Sequence, residues 1–412
     1  MRRSLSTLCA LLVVVAALPM STPLVGAADA DGVDRRPAAQ VQPIPGQNST
    51  SVLLLTGETT SGYAQSSMDL APAVTATRGA VGIQLRERIV RERLQDASTV
   101  DRRRQVLRQE TERLAVDVEA LERTERQALA RYERGESSAE ELLRTLAAVD
   151  AEARQADQLV SLLQDEVSQV QFLSSTEDRL QSLQVRLAML HGPVREHARA
   201  VFRGEAASTR IHVSVADEGV ALAAIRGNTY IREANVPANI DVTASDGFSS
   251  ESEVIDRIGT LYPWAWTSDT SSVRTYTNFE NGFYRINVDH THGRLTSYLD
   301  GSTQSVFSEV QYKSLSRMPT GQPTSAEANG TTLRVNQSFG GGPVQVTARA
   351  TSTDQPVDGT VYVDDERVGQ TSGGRLWLVG PTSQYEVTLE TDAGNVTVTA
   401  QPVSQPQPQP QS

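Results

Sequence analysis

The feature that most constrains the fold of this chain is a heptad pattern between Leu142 and Val170. Apolar residues recur there at alternating spacings of four and three, which is the a/d seam of a helix that pairs with other helices. The seam positions are Leu142, Leu146, Val149, Ala153, Ala156, Val160, Leu163, Val167 and Val170. The pattern therefore predicts packed helices in the middle of the chain.

The surrounding region, residues 79–203, predicts an antiparallel helical coiled-coil bundle. It contains no proline before Pro193 and is rich in good helix formers. Gly135 permits a tight reversal, and Gly192-Pro193 predicts a kink. We expect helices over 80–97, 99–134, 138–173 and 176–203.

Three serines, each three residues before an acid, predict where helices begin. A hydroxyl and a carboxylate at this spacing form a capping box. The pairs are Ser98 with Asp101, Ser137 with Glu140, and Ser174 with Glu177. The acidic third helix lies between two mildly basic ones, so we expect its partners within the same chain. Self-association through the seam is the second interpretation.

The N-terminus predicts export. Arg2 and Arg3 precede an apolar run and a small-residue cleavage site, so residues 1–27 have the pattern of a secretory signal peptide and 28–50 that of a linker. Cys9 is the only cysteine and would leave with the signal, which excludes disulfides and cysteine-ligated metals from the mature chain. We expect a secreted or cell-surface protein without a membrane anchor after cleavage.

The charge balance argues against nucleic acid as a partner. The formal net charge is −12, and Lys313 is the only lysine. Arg102, Arg103 and Arg104 form a basic run, but acids flank it on both sides, so a helix-pairing face is the preferred interpretation. This acidic, lysine-poor composition resembles that of secreted proteins of halophilic archaea.

After Gly204 the apolar period changes from 3.6 to 2, which predicts an α+β sheet domain over 204–318. The expected elements are strands at 210–215 and 220–225, a helix at 253–261, and a meander of strands at 282–289, 294–299 and 306–312. Residues 51–78 are expected to hold a short strand, Ser51–Thr56, and a loop. The helix ending at Tyr262-Pro263, the strand Phe283–Val288 and the segment Tyr298–Thr303 resemble the PepSY pattern over about 254–312. That resemblance implies regulation or inhibition of a peptidase.

A second linker (319–330) leads to regularly alternating strands over 331–400, which predict a small β-sandwich, and to a Gln-Pro tail (401–412). The run Pro356–Asp364 with Val368-Gly369 resembles carboxypeptidase-regulatory-like and PEGA modules, which are accessory units. The whole order of segments resembles uncharacterised secreted multidomain proteins of halophilic archaea. The expected fold class is multidomain α+β.

Few residues point to chemistry. His290 and His292 could share one strand face as metal ligands, but a third ligand is missing and turn histidines are the preferred interpretation. No hydrolase or phosphate-loop motif occurs, so we expect no enzyme, no metal and no cofactor.

Two tryptophans and four sequons are the candidate site residues. Trp264 and Trp266 could stack on sugar rings or grip a peptide, although closing the helix–sheet core is the preferred role. The candidate N-glycosylation sites are Asn48, Asn329, Asn336 and Asn395. The sequence therefore predicts a non-enzymatic structural or adhesive protein whose partner is a protein or another envelope component. A peptidase regulator and a carbohydrate-binding surface protein are the alternatives.

Overall fold

The structure is a computed structural model that describes residues 41–42, 52–66, 86–217, 219–241, 243–263, 272–279, 282–318 and 322–402. All of these lie in one compact unit, residues 38–412. The predicted signal peptide, Asn48, Trp264, Trp266 and residues 403–412 of the predicted tail lie outside the described residues.

Five helices form the first half of the described chain. Residues 86–96 are helical (α1), followed by α2 (Val100–Glu133), α3 (Ala139–Ser168), α4 (Ser174–Leu190) and α5 (Pro193–Phe202). The predicted third helix ends five residues early. The predicted fourth helix is broken rather than kinked, because His191 and Gly192 are extended and Pro193 begins a new helix.

The helix starts differ from the predicted ones by one residue. Thr99, not Ser98, accepts the hydrogen bond from the backbone of Arg102, and Ser138, not Ser137, forms a capping box with Glu141. Helix α4 has no side-chain cap, so the box predicted at Ser174 is wrong. Where two hydroxyl residues are adjacent, spacing alone does not decide which one adopts the extended cap conformation.

The heptad seam packs into two hydrophobic clusters instead of one. Its C-terminal part, from Val149 to Val167, packs with α1, α2 and α4. Its N-terminal part, with Leu142 and Leu146, packs with α5 and with strands of a sheet. Helices α2, α3 and α4 thus form a bundle, which we call the helical arm, and one end of this bundle packs on the sheet. The supercoiling of a coiled coil stays a prediction.

The sheet has eight antiparallel strands in the order β3-β4-β5-β6-β10-β9-β8-β7. Their bounds are β3 (Thr60–Ser66), β4 (Thr209–Ala216), β5 (Gly219–Arg226), β6 (Thr229–Asn235), β7 (Ser272–Phe279), β8 (Phe283–His290), β9 (Gly293–Asp300) and β10 (Ser305–Ser314). The predicted meander corresponds to β8, β9 and β10. The strand predicted at 51–56 is only β2 (Val52–Leu53), which pairs with β1 (Val41–Gln42), and the strand added to the large sheet is β3.

The two faces of this sheet have different covers. One face is apolar, with Ile211, Val213, Val215, Leu222 and Ile231 packed against α2, α3 and α5. The other face is covered by β2, by helix α6 (Glu251–Leu261) and by a C-terminal sandwich. The helical region and the sheet therefore share one core.

The C-terminal sandwich consists of two four-stranded antiparallel sheets, ordered β11-β12-β13-β16 and β15-β14-β17-β18. The strands are β11 (Thr324–Ala328), β12 (Thr331–Asn336), β13 (Pro343–Ala350), β14 (Thr360–Val363), β15 (Glu366–Gln370), β16 (Arg375–Val379), β17 (Tyr385–Thr391) and β18 (Gly394–Ala400). Strand β11 falls inside the predicted second linker. Alternating residues of both sheets form the core, as the sequence pattern predicts.

Candidate functional site

The second face of the large sheet carries a row of buried polar side chains, which we call the polar face. The strand register places His212 beside Ala223, Ala223 beside Arg232, and Arg232 beside Gln311. The same face carries Ser214, Tyr230, Glu309 and Lys313, all buried. Buried polar groups must find partners, so each of these positions constrains what covers the sheet.

Glu309 and Arg232 bind strand β2 to this face. Arg232 donates to Glu309 at 2.9 Å and to the carbonyl oxygen of Leu53 at 2.7 Å. Glu309 also accepts the Leu53 N–H at 2.7 Å and the Tyr262 hydroxyl at 2.8 Å. The ion pair thus satisfies both backbone groups of Leu53, which explains why so short a strand keeps its place.

Lys313 lies fully buried on the polar face and under the sandwich. Its Nζ is 5.1 Å from the centroid of the Phe339 ring, which belongs to the connection between β12 and β13. Burial holds the pKa of this amine well below its usual value, although Glu309 opposes the shift. The only lysine of the chain therefore faces an aromatic ring of the sandwich.

Three polar contacts hold the sandwich on the polar face. The hydroxyl of Tyr63 donates to the carbonyl oxygen of Val379 at 2.8 Å, and that of Tyr230 donates to the carbonyl oxygen of Gly341 at 2.9 Å. Arg210 forms an ion pair with Glu366 at 2.8 Å. An apolar cluster of Ala223, Tyr230, Phe339 and Val379 surrounds them. The sandwich is thus docked by one buried hydrogen bond, one half-buried hydrogen bond, an ion pair at the surface and an apolar cluster.

A cavity of about 380 Å³ remains between the sheet, the segment after β2 and the sandwich. Arg232, His212 and Ser214 line it from the sheet, and Gly341 and Thr382 line it from the sandwich. Burial, reinforced by Arg232 and Arg210, lowers the pKa of His212 to about 4, so its imidazole is neutral at neutral pH. We take this cavity as the candidate ligand site.

A second buried ionic cluster lies at the root of the helical arm. Arg195 is fully buried and donates to both oxygens of Glu125, at 2.8 and 2.9 Å. Glu233 of β6 accepts the Val194 N–H at the start of α5, and burial raises its pKa to about 7. A Cβ at Gly192 would lie 2.1 Å from a Glu233 oxygen, so a larger residue there would displace the Glu233 carboxylate. The cluster joins the arm to the sheet.

The opposite end of the arm exposes an aromatic side chain. Phe172, in the turn between α3 and α4, is 80 % exposed and has φ 65. The Arg104 guanidinium lies 5.4 Å from its ring centroid and donates to the Gln171 carbonyl oxygen at 3.1 Å. Val100, which is 58 % exposed, lies one helical turn before Arg104. We call Val100, Arg104 and Phe172 the arm tip.

The structure places the predicted site residues as follows. Asn329 and Asn395 are exposed, and the Asn329 amide donates to the Asn395 carbonyl oxygen, whereas Asn336 is half-buried and its amide donates to Gln345. Trp264, Trp266 and Asn48 lie outside the described residues. Arg103 pairs with Glu166, and Arg104 pairs with Asp101.

The histidine pair is held by local contacts. The Nδ1 atom of His292 lies 2.7 Å from the Arg317 carbonyl oxygen, and the His292 backbone N–H donates to His290. Within the described residues no group of three or more histidine, cysteine, aspartate or glutamate side chains could hold a metal ion. The described part of the chain also contains no helix long and apolar enough to span a membrane.

Sequence reasoning missed the polar face and the arm tip. Arg232 falls in a predicted loop and Glu309 in a predicted strand. These two charged residues pair with each other although they are 77 positions apart in the sequence. Phe172 looked like part of a helix. The one available signal was Lys313, since a single lysine within an alternating strand stands out in an arginine-rich chain.

Three family comparisons cover almost the whole chain. Residues 1–207 match a domain of unknown function (DUF7096), residues 211–319 match a family of unknown function (DUF7094), and residues 322–398 match an archaeal fibronectin-III type-like domain. The C-terminal module is therefore similar to a fibronectin-III type sandwich, and these matches include neither PepSY nor PEGA modules. Searches of curated proteins and of solved structures gave no match. Because the first match spans half of the sequence, the chain belongs to the DUF7096 family.

Proposed function

We propose that this protein is an exported structural or adhesive protein of the cell surface, without a catalytic role, and that its arm tip contacts a protein component of the envelope. The observation that carries the proposal is Phe172, an aromatic side chain exposed in a strained backbone conformation. The signal-like N-terminus and the similarity of the C-terminal module to fibronectin-III type domains support the setting.

The packing of the arm makes this exposure informative. Leu173, the next residue, is buried and closes the end of the arm's hydrophobic cluster. A φ of 65 in a non-glycine residue costs about 1–3 kcal/mol and persists where the surroundings require it. Burying Leu173 thus directs Phe172 outward, where Arg104 supports its ring. Aromatic residues supported in this way are frequent centres of protein–protein contacts.

The buried charges support a scaffold rather than an enzyme. Arg232, Glu309 and Tyr262 are engaged with strand β2, and Arg195, Glu125 and Glu233 join the arm to the sheet. Each group has a structural contact that fixes one element on another. Such a body would hold the arm tip and the sandwich at a set separation. Self-association through the arm is the second use of the same surface.

The test measures binding of the purified full-length chain to washed envelopes from the source organism. Phe172→Ser is compared with Val116→Ser, a matched control because Val116 is also an exposed apolar residue of the arm, at 61 %. We expect Phe172→Ser to weaken binding by about tenfold or more and Val116→Ser to leave it unchanged. Equal binding by both variants, or no binding by the wild type, would contradict the proposal.

A second candidate function, regulation of an extracellular peptidase, is favoured by one observation. Strand β7 is at the edge of the large sheet and, among the described strands, pairs only with β8. An edge strand can accept an extended peptide by strand addition. Slower casein hydrolysis by the organism's secreted peptidases in the presence of the full-length chain would favour this candidate, and unchanged hydrolysis would remove it.

A further inference from the structure

We propose that the cavity between the polar face and the sandwich binds a small organic monoanion, recognised through a carboxylate or a phosphate group. This inference goes beyond the adhesive role and does not depend on it. It rests on the charge, the hydrogen-bonding groups and the size of the cavity.

The charge of the lining is the first argument. Arg232 lines the cavity, and none of the lining residues that the structure describes carries a carboxylate. The whole chain, in contrast, has 50 acidic residues against 38 basic ones. Glu309, the ion-pair partner of Arg232, does not line the cavity. An anion in the cavity would therefore face a guanidinium and no carboxylate of the described lining.

The hydrogen-bonding groups are the second argument. His212 is 3 % exposed and neutral, so its ring offers one N–H donor, and Ser214 lies 3.5 Å from its Nδ1. Thr382 adds a hydroxyl group from the sandwich. Donors from both walls, together with a buried guanidinium, form charge-assisted hydrogen bonds with carboxylate or phosphate oxygens.

Backbone shape and volume set the size of the ligand. Gly341 has φ 73, a conformation that favours glycine, and brings the sandwich backbone against the His212 ring. The volume of about 380 Å³ is at the lower end for small-molecule sites and admits one compact organic acid. Leu54 and Leu55 supply an apolar wall, so the rest of the ligand need not be charged.

The test is isothermal titration calorimetry on the full-length chain at constant ionic strength. The probes are sodium lactate, inorganic phosphate and, as a neutral control, glycerol. We expect one lactate or one phosphate to bind per chain and glycerol not to bind. The preferred anion identifies the recognised group. Equal binding of glycerol, or no binding of either anion, would overturn the proposal.

Variants locate the site. Ser214→Ala and Thr382→Val each remove a donor, and we expect each to weaken anion binding by about tenfold. Ser297→Ala is the control, because Ser297 is buried on the same face but does not line the cavity. Melting curves confirm that each variant is folded, and two independent donor variants keep the test valid if one is not. Unchanged affinity in a folded donor variant, or an equal loss in the control, would overturn the proposal.

Discussion

At the residue scale, the burial of His212 couples stability to pH. Its native pKa is about 4, whereas the pKa of a histidine in an unfolded chain is near 6.5. The unfolded state therefore binds a proton more readily, and the stability contributed by neutral His212 is present above pH 6.5 and is lost as the pH falls through 4.

This linkage predicts the behaviour of His212→Gln. Between pH 7.5 and pH 4 the wild type should lose about 3 kcal/mol more free energy of unfolding than the variant, because glutamine does not titrate. Guanidinium chloride denaturation at both pH values measures the difference. The raised pKa of Glu233, about 7, makes the free energy of unfolding change with pH in the opposite direction. Because Glu233 is present in both proteins, its contribution cancels in the comparison. Identical pH profiles would show that His212 titrates normally.

Single buried polar residues could not be assigned from the sequence. His212 and Ser214 alternate with apolar residues as they would on a solvated face, yet the sandwich covers them. Their burial depends on contacts such as that of Tyr230 with Gly341, which are 111 positions apart. Local pattern carries no signal for such pairs. The candidate sequons were identifiable as motifs, but only the structure distinguishes exposed Asn395 from half-buried Asn336.

At the element scale, the start of α3 separates two adjacent serines. The Ser138 hydroxyl accepts a hydrogen bond from the Glu141 N–H at 3.2 Å, and the Glu141 carboxylate accepts one from the Ser138 N–H. The buried Ser137 hydroxyl, in contrast, has no partner in the described structure. We expect Ser138→Ala to lower the free energy of unfolding by about 1 kcal/mol and Ser137→Ala to leave it nearly unchanged. Urea denaturation of the two variants checks this. A larger loss of stability in Ser137→Ala than in Ser138→Ala would show that Ser137 is the cap, as its spacing from Glu140 predicts.

Elements with a clear period were predictable, and elements without one were not. The helices and the strands β8, β9 and β10 follow from apolar periodicity. Strand β6 was missed because both of its faces are buried while its sequence, Thr229–Asn235, contains Arg232, Glu233 and Asn235. The heptad seam predicted helix partners along its whole length, but Leu142 and Leu146 pack in a core that also contains strands of the sheet.

At the scale of the whole molecule, the sequence predicts separate domains, whereas in the structure neighbouring domains share hydrophobic cores. Composition marks a boundary at Gly204, yet Phe202 of α5 and Ile211 of the sheet belong to one core. The second predicted linker holds strand β11, and the sandwich rests on Lys313 and Tyr230. Modules joined by small, polar interfaces normally move relative to one another. The buried hydrogen bond from Tyr230 to Gly341 and the apolar cluster around Phe339 predict the opposite here.

If arm, sheet and sandwich form one rigid scaffold, the distance between a spin label on the arm and one on the sandwich is fixed. With Cys9 replaced by serine, labels are attached at Arg123→Cys on the arm and Thr399→Cys on the sandwich, two exposed positions. Double electron–electron resonance should give a single narrow distance distribution. A broad or multimodal distribution would show that the modules move independently and do not form a rigid scaffold.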